Sequence, residues 1–121
     1  MDAREFFEAY GKAFTQTEVE VAGFYSVPCI TARGGTARLG ATREEVQDFF
    51  ATVLRRYREQ GFADGRIRSI DSRELGANSV LATVAWDYLG AGGEVLWTWT
   101  FTYNLYKTGG RWAILLQTMH D

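Results

Sequence analysis

With 121 residues, 46% of them hydrophobic and 15% aromatic, the chain has material for one domain, residues 1–121, around a sizeable core. A net charge of −2 gives no basic bias and argues against a nucleic-acid partner. No apolar run reaches the length of about 18 residues that crosses a membrane, "MDAREFFEAYGKAF" has no signal-type core, and a lone Cys29 excludes an internal disulfide, so a cytoplasmic setting is expected.

Asp2 and Glu5 have capping-box spacing, with Asp in place of the usual Ser or Thr. Phe6, Phe7, Tyr10, Ala13 and Phe14 then recur at helical spacing, which predicts a first helix to about Gln16. Thr17 and Glu20 repeat the signal before "EVEVAGFY", a valine-rich segment that needs tertiary contacts to stay helical and that Pro28 is expected to end. "CITARGGTARLG" reads as two short strands around Gly34 and Gly35. Thr42 and Glu45 open the clearest helix, with Val46, Phe49, Phe50, Val53, Leu54 and Tyr57 on one face and Gly61 as its stop.

Beyond Gly61 the period changes to two. "DGRIRSIDSRELG", "NSVLATVAWDYLG", "EVLWTWTFTYNLYK" and "RWAILLQTMHD" read as strands, with "GAGG" and "TGG" as hairpin turns. Helices followed by an antiparallel meander make an α+β layout. On the long strand, Val95, Trp97, Trp99, Phe101, Tyr103 and Leu105 are expected against the helices, and Thr98, Thr100, Thr102 and Asn104 away from them. On the last strand, Trp112, Ile114, Leu116, Thr118 and His120 share one face by the same alternation, opposite Ala113, Leu115, Gln117 and Met119. With Trp112 and Ile114 inward, His120 is expected at the rim of the concavity.

A helix with "FFEAYGKAF", a segment ending "GFYSVPCI", a capped third helix and a meander ending "YKTGGRWAILL" together resemble the nuclear transport factor 2-like superfamily. That group includes SnoaL-like polyketide cyclases and ketosteroid isomerases. The resemblance covers the whole chain and rests on element order and the "GGRW-I" ending, so it speaks for fold more than for function. It implies a curved antiparallel sheet wrapped around three N-terminal helices, a cone with an apolar pocket, and frequent homodimers. Tyr10 is the nearest match to the isomerases' first-helix tyrosine. Their general-base carboxylate, however, falls on Ala32 or Arg33, and their second acid on Trp99 or Thr100. Isomerase chemistry of that type is not expected, and one histidine does not supply what the superfamily's dehydratases use.

His120 and Asp87 are the candidate proton-transfer residues. A histidine titrates near pH 6.5, which suits acid or base work at a pocket, and the alternative is a structural rim residue. Asp121 is adjacent in a strand and points to the other side, so it is a poor partner for His120. Asp87 interrupts an apolar strand, where burial alone raises a carboxyl pKa, but alternation puts it opposite Trp86 and Tyr88. Tyr10, Phe14, Tyr25, Phe50, Tyr57, Trp86, Trp99 and Tyr103 are the candidate ligand-binding set for a flat apolar molecule, or else a packed core. Cys29 reads as a small buried residue and "RRYRE" as a solvated face with Tyr57 turned in. "GAGG" has no helix after it, and no metal-ligand spacing or cofactor motif is present.

The leading reading is a small-molecule-binding protein. Its rivals are a SnoaL-like cyclase, isomerase or hydrolase working on an apolar ring substrate, and a dimeric scaffold whose cone is filled by its own side chains. The outward residues Thr98, Thr100, Thr102, Asn104, Ala113, Leu115 and Met119 carry no charge, which predicts a homodimer through the outer sheet face.

Overall fold

Side-chain caps start all three helices, and the computed structural model describes them within residues 1–121. Asp2 accepts from the Glu5 amide at 3.0 Å at the head of α1 (Ala3–Ala13), and Thr17 from the Glu20 amide at 3.4 Å at the head of α2 (Glu18–Ala22). Thr42 accepts from the Glu45 amide at 3.2 Å, and Glu45 reaches back to the Ala41 amide at 2.8 Å, opening α3 (Arg43–Glu59). The short α2 is held from outside. Arg43 donates to the carbonyls of Ala22 and Tyr25, tying the end of α2 to the start of α3.

α2 stops at Ala22 and not at Pro28, which lies inside β1 (Tyr25–Arg33). Gly23 caps the helix, so the chain has already become extended before the proline. A hairpin leads to β2 (Thr36–Gly40), and after α3 come β3 (Asp64–Glu74), β4 (Ser79–Leu89), β5 (Val95–Thr108) and β6 (Arg111–Met119). The strand order is β2-β1-β6-β5-β4-β3 in one six-stranded sheet. Every pair is antiparallel except β1 with β6, which is parallel. The sheet is curved and unclosed, and its inner face packs on the helices. Gly109 and Gly110, both at positive φ, make the tight turn between β5 and β6 that a side chain would strain. No helix is long and apolar enough to cross a membrane.

Alternation on β5 runs as expected. Phe101, Tyr103 and Leu105 are buried in the core with Phe7, Val21, Tyr25, Leu54, Val84 and Ile114, while Trp97 and Trp99 are half-buried against it. β6 departs from its alternation. Asn104 pairs with Leu116 and Leu105 with Ile114, so Leu115 is an extra residue in a β-bulge. Leu115 and Leu116 both lie on the outer face, 37% and 38% exposed. Every later residue is therefore turned over. Gln117 is buried and Met119 packs on the core, whereas Thr118 and His120 are exposed. This corrects two expectations: His120 does not border the concavity, and Met119 does not belong to the outer surface.

Candidate functional site

Inside the cone, α1 brings Tyr10 and its C-cap Phe14, α3 brings Phe50, Val53 and Tyr57, β4 brings Trp86 and Tyr88, and β5 brings Tyr103 to one cavity. Trp86 lies so close to α1 that a Cβ on Gly11 would be 2.9 Å from the indole, which is why glycine suits that helical position. The polar tips find each other. The hydroxyls of Tyr10 and Tyr25 are 2.7 Å apart, Gln117 Nε2 donates to Tyr25 at 2.9 Å, and Trp86 Nε1 donates to Tyr103 at 3.0 Å. Burial pushes the phenols of Tyr10, Tyr25, Tyr88 and Tyr103 well above their ordinary value, and raises that of Tyr57 as well. These groups are neutral at physiological pH and serve as hydrogen-bonding partners, not as bases.

The rings largely fill the cone. Phe7 and Tyr103 are 4.6 Å apart, Tyr25 and Phe50 4.9 Å, and Tyr10 and Phe14 5.0 Å, in tilted or edge-on contacts. What remains is about 20 Å³ open to the centre of a water molecule, room for a water-sized group and not for a ring. Of the eight expected ligand-binding residues, Tyr10, Phe14, Phe50, Tyr57, Trp86 and Tyr103 line this cavity. Tyr25 lies behind Tyr10, and Trp99 is at the rim against Tyr57 and Tyr88.

Of the lining residues outside that set, Arg33 and Gln117 bring a guanidinium and an amide. Arg33, at the end of β1, reaches the cavity, and Gln117 enters it because of the bulge at Leu115. Arg33 Nε is buried with no hydrogen-bond partner, and so is Gln117 Oε1; Trp97 Nε1 is a third such atom. The ion pairs of the chain join Arg4 to Glu8, Arg55 to Glu59, and Arg66 and Arg68 to Asp87, so no carboxylate neutralises Arg33. At the Arg33 and Val53 end the cavity meets an open groove of about 770 Å³ between the β1–β2 hairpin and α3, where Arg38, Leu39, Phe49 and Arg56 also stand.

Asp87 and His120 are on the opposite side of the sheet. Asp87 accepts from Thr98 at 2.9 Å and from Arg66 at 3.1 Å, with Arg68 at 3.6 Å, and its side chain is only 8% exposed beneath the two arginines. The Thr98 hydrogen bond, with help from both arginines and against some desolvation, holds its carboxyl below the ordinary 3.8. Burial alone would have raised it; the surrounding donors reverse the sign. His120 Nε2 is 2.7 Å from the Thr102 hydroxyl, which is itself 2.8 Å from that of Thr83. Thr102 and Thr98 are four residues apart on β5, about 13 Å at strand rise, so His120 and Asp87 do not form an acid–base pair. Asp121 accepts from the Gly34 amide at 3.3 Å. No group of three His, Cys, Asp or Glu side chains is close enough to hold a metal ion, and the Cys29 thiol is buried with its pKa raised by that burial.

A carboxyl whose folded pKa is depressed stabilises the fold above its unfolded pKa and loses that contribution as pH falls through the folded one. Asp87→Asn is therefore expected to lower the melting temperature at pH 7, with the difference from the parent shrinking below pH 3.8. Thermal melts at pH 7, 5 and 3 check this. A deficit that stays constant across the series would show that shape and not charge is what Asp87 supplies.

A family model described as "NTF2-like protein (DUF6841)" matches residues 1–121. Comparison with curated proteins finds no match. Among solved structures, an NTF-2 like protein of unknown function from Shewanella oneidensis is similar at 15% identity, covering 98% of this chain and 95% of the other, with a TM-score of 0.75. A Nostoc punctiforme protein of unknown function with a cystatin-like fold is similar at 10% identity, covering 96% and 85%, with a TM-score of 0.77. The yeast UBP3-associated protein BRE5 is similar at 15% identity, covering 97% and 91%, with a TM-score of 0.76. Identities this low speak to fold alone.

Proposed function

Because the chain belongs to the NTF2-like family DUF6841 over its whole length, we propose that it is a small-molecule-binding protein whose ligand is received at the Arg33 end of the cone. The carrying observation is the pair of buried polar atoms, Arg33 Nε and Gln117 Oε1, that the chain leaves unpartnered beside an otherwise aromatic cavity. Each such atom costs about 1–3 kcal/mol if nothing pairs with it. A polar group of a ligand supplies the missing partner, in the space where a water otherwise fits. The ligand's apolar body then lies in the adjoining groove, on Phe49 and Val53, because the cone itself has no room for a ring. Turnover by His120 or Asp87 does not enter this reading, since the sheet separates both from the cavity.

The test is a thermal-shift screen of small apolar compounds with one polar group, followed by NMR mapping of each hit. A ligand that binds only the folded state raises the melting temperature by mass action. Hits are expected to move the side-chain signals of Arg33 and Gln117 and the amides near Val53. A screen without any shift, or hits that map to the outer sheet face, would overturn the proposal.

The same chain is proposed to pair with a second copy through the outer sheet face, where Thr98, Thr100, Thr102 and Leu115 are joined by Ile30, Leu81 and Leu116. Those three aliphatic residues are 42%, 36% and 38% exposed. An antiparallel sheet face meant for water would carry Lys and Glu there.

A further inference from the structure

Resting on that binding reading, we propose that the polar group recognised at the cone is a carboxylate, carried by a small acid with an apolar body. Four features of the Arg33 end favour this chemistry.

The first is an uncompensated charge. Arg33 is half-buried, has no carboxylate within ion-pair distance, and has a buried Nε without an acceptor. The phenols around it are neutral, so no anion of the chain cancels the guanidinium. Arginine is always charged, and a desolvated guanidinium is stabilised by an anion far more than by a neutral acceptor. Its Nε and one terminal nitrogen form a planar edge that matches the two oxygens of a carboxylate.

The second is the Gln117 amide. Its contact with the Tyr25 hydroxyl is made equally well by either amide atom, because a hydroxyl both donates and accepts. Turned over, the amide keeps Tyr25 as its partner and presents NH₂ to the cavity. The site then offers donors from two sides, as an anion requires.

Size decides between anions. The cavity admits one water-sized group, which a carboxylate oxygen matches. A tetrahedral phosphate brings a third non-bridging oxygen that the water-sized space does not take, so it is confined to the groove mouth.

The fourth feature is the approach. Arg38 and Arg56 stand with Arg33 around the groove, against Glu45 and Asp48. Glu45 is committed to the Ala41 amide at the start of α3, and Arg38 lies 5.1 Å over the Phe49 ring. The groove thus couples an arginine-rich wall to an apolar floor, which suits an acid with a ring or branched body.

Benzoate, benzamide and phenyl phosphate are the probes, titrated by calorimetry at pH 7 into the parent, Arg33→Gln and Arg33→Lys. The parent is expected to bind benzoate at least tenfold more tightly than benzamide. Arg33→Gln should remove that preference. Arg33→Lys, which keeps the charge and loses the planar edge, should weaken benzoate several-fold. Equal binding of benzoate and benzamide by the parent overturns the carboxylate assignment while the binding reading stands. Binding of neither overturns both. Tighter binding of phenyl phosphate than of benzoate overturns the size argument and with it the assignment. Should Arg33→Gln fail to fold, the Arg33 Nε–H signal of the parent decides: at equal occupancy it must shift further with benzoate than with benzamide, and an equal or smaller shift refutes the proposal.

Discussion

Phe7→Ala is expected to lower the stability of this chain by about 3–5 kcal/mol, the range for removing a fully enclosed aromatic ring. Phe7 is 0% exposed, and its ring lies 4.6 Å from Tyr103, 5.1 Å from Phe6, 6.0 Å from Tyr10 and 6.5 Å from Trp86. The void left behind cannot easily collapse. Tyr103 is held by the Trp86 indole, Tyr10 by Tyr25, and Tyr25 by Gln117, so the surrounding rings are fixed at their polar tips. For a chain of this length the loss corresponds to a fall of about 12–20 °C in melting temperature. Urea titration and thermal melts check it, with Phe6→Ala as the milder control because Phe6 is only partly buried. A loss below about 1 kcal/mol would mean that the aromatic core relaxes into the space, and that the cone is more adaptable than its hydrogen bonds suggest.

The second large effect is on assembly. At micromolar concentration the chain is expected to run at twice its 13.6 kDa mass, and Thr100→Arg combined with Leu116→Glu to return it to one chain. Ile30 pairs with Leu116, Leu116 with Asn104, and Asn104 with Leu81, making a low-charge row across four strands of the outer face. Beside it runs a row of hydroxyls, Thr118, Thr102 and Thr83, with Thr102 also bonded to His120. Short side chains let two such faces approach closely, and like surfaces pair about a two-fold axis. Charges are set to the β3 edge, at Arg66, Arg68, Asp71 and Arg73 with Asp87 beside them. Buried arginine and glutamate without partners would cost several kcal/mol in the paired state. Light scattering behind size exclusion reads the mass directly. A single-chain mass for the parent refutes the dimer, and a dimer that survives both substitutions puts the interface elsewhere.

Much of the architecture is legible in the sequence. Asp2, Thr17 and Thr42 announce their helices because a capping side chain acts on an amide three residues away. The apolar face from Val46 to Tyr57 and the alternation from Trp97 to Leu105 are likewise local records of which side is buried. Arg33 was partly readable: Cys29, Thr31 and Arg33 alternate, and the first two are buried, so the arginine belongs to the same inward side.

What local sequence determined, then, is where helices and strands begin and which stretches bury a face, since caps, turns and periodicity act over a few residues. What only the tertiary structure decided is the register on β6. "AILLQTMH" alternates without a visible break, yet Leu115 is squeezed out where Asn104 and Leu105 must pair with Leu116 and Ile114 while β1 lies along the other edge. That one unpaired residue turns Gln117 into the cone and His120 onto the outer face of the sheet. The cause lies in two neighbouring strands distant in sequence, and a period-two reading of a single strand has no access to it.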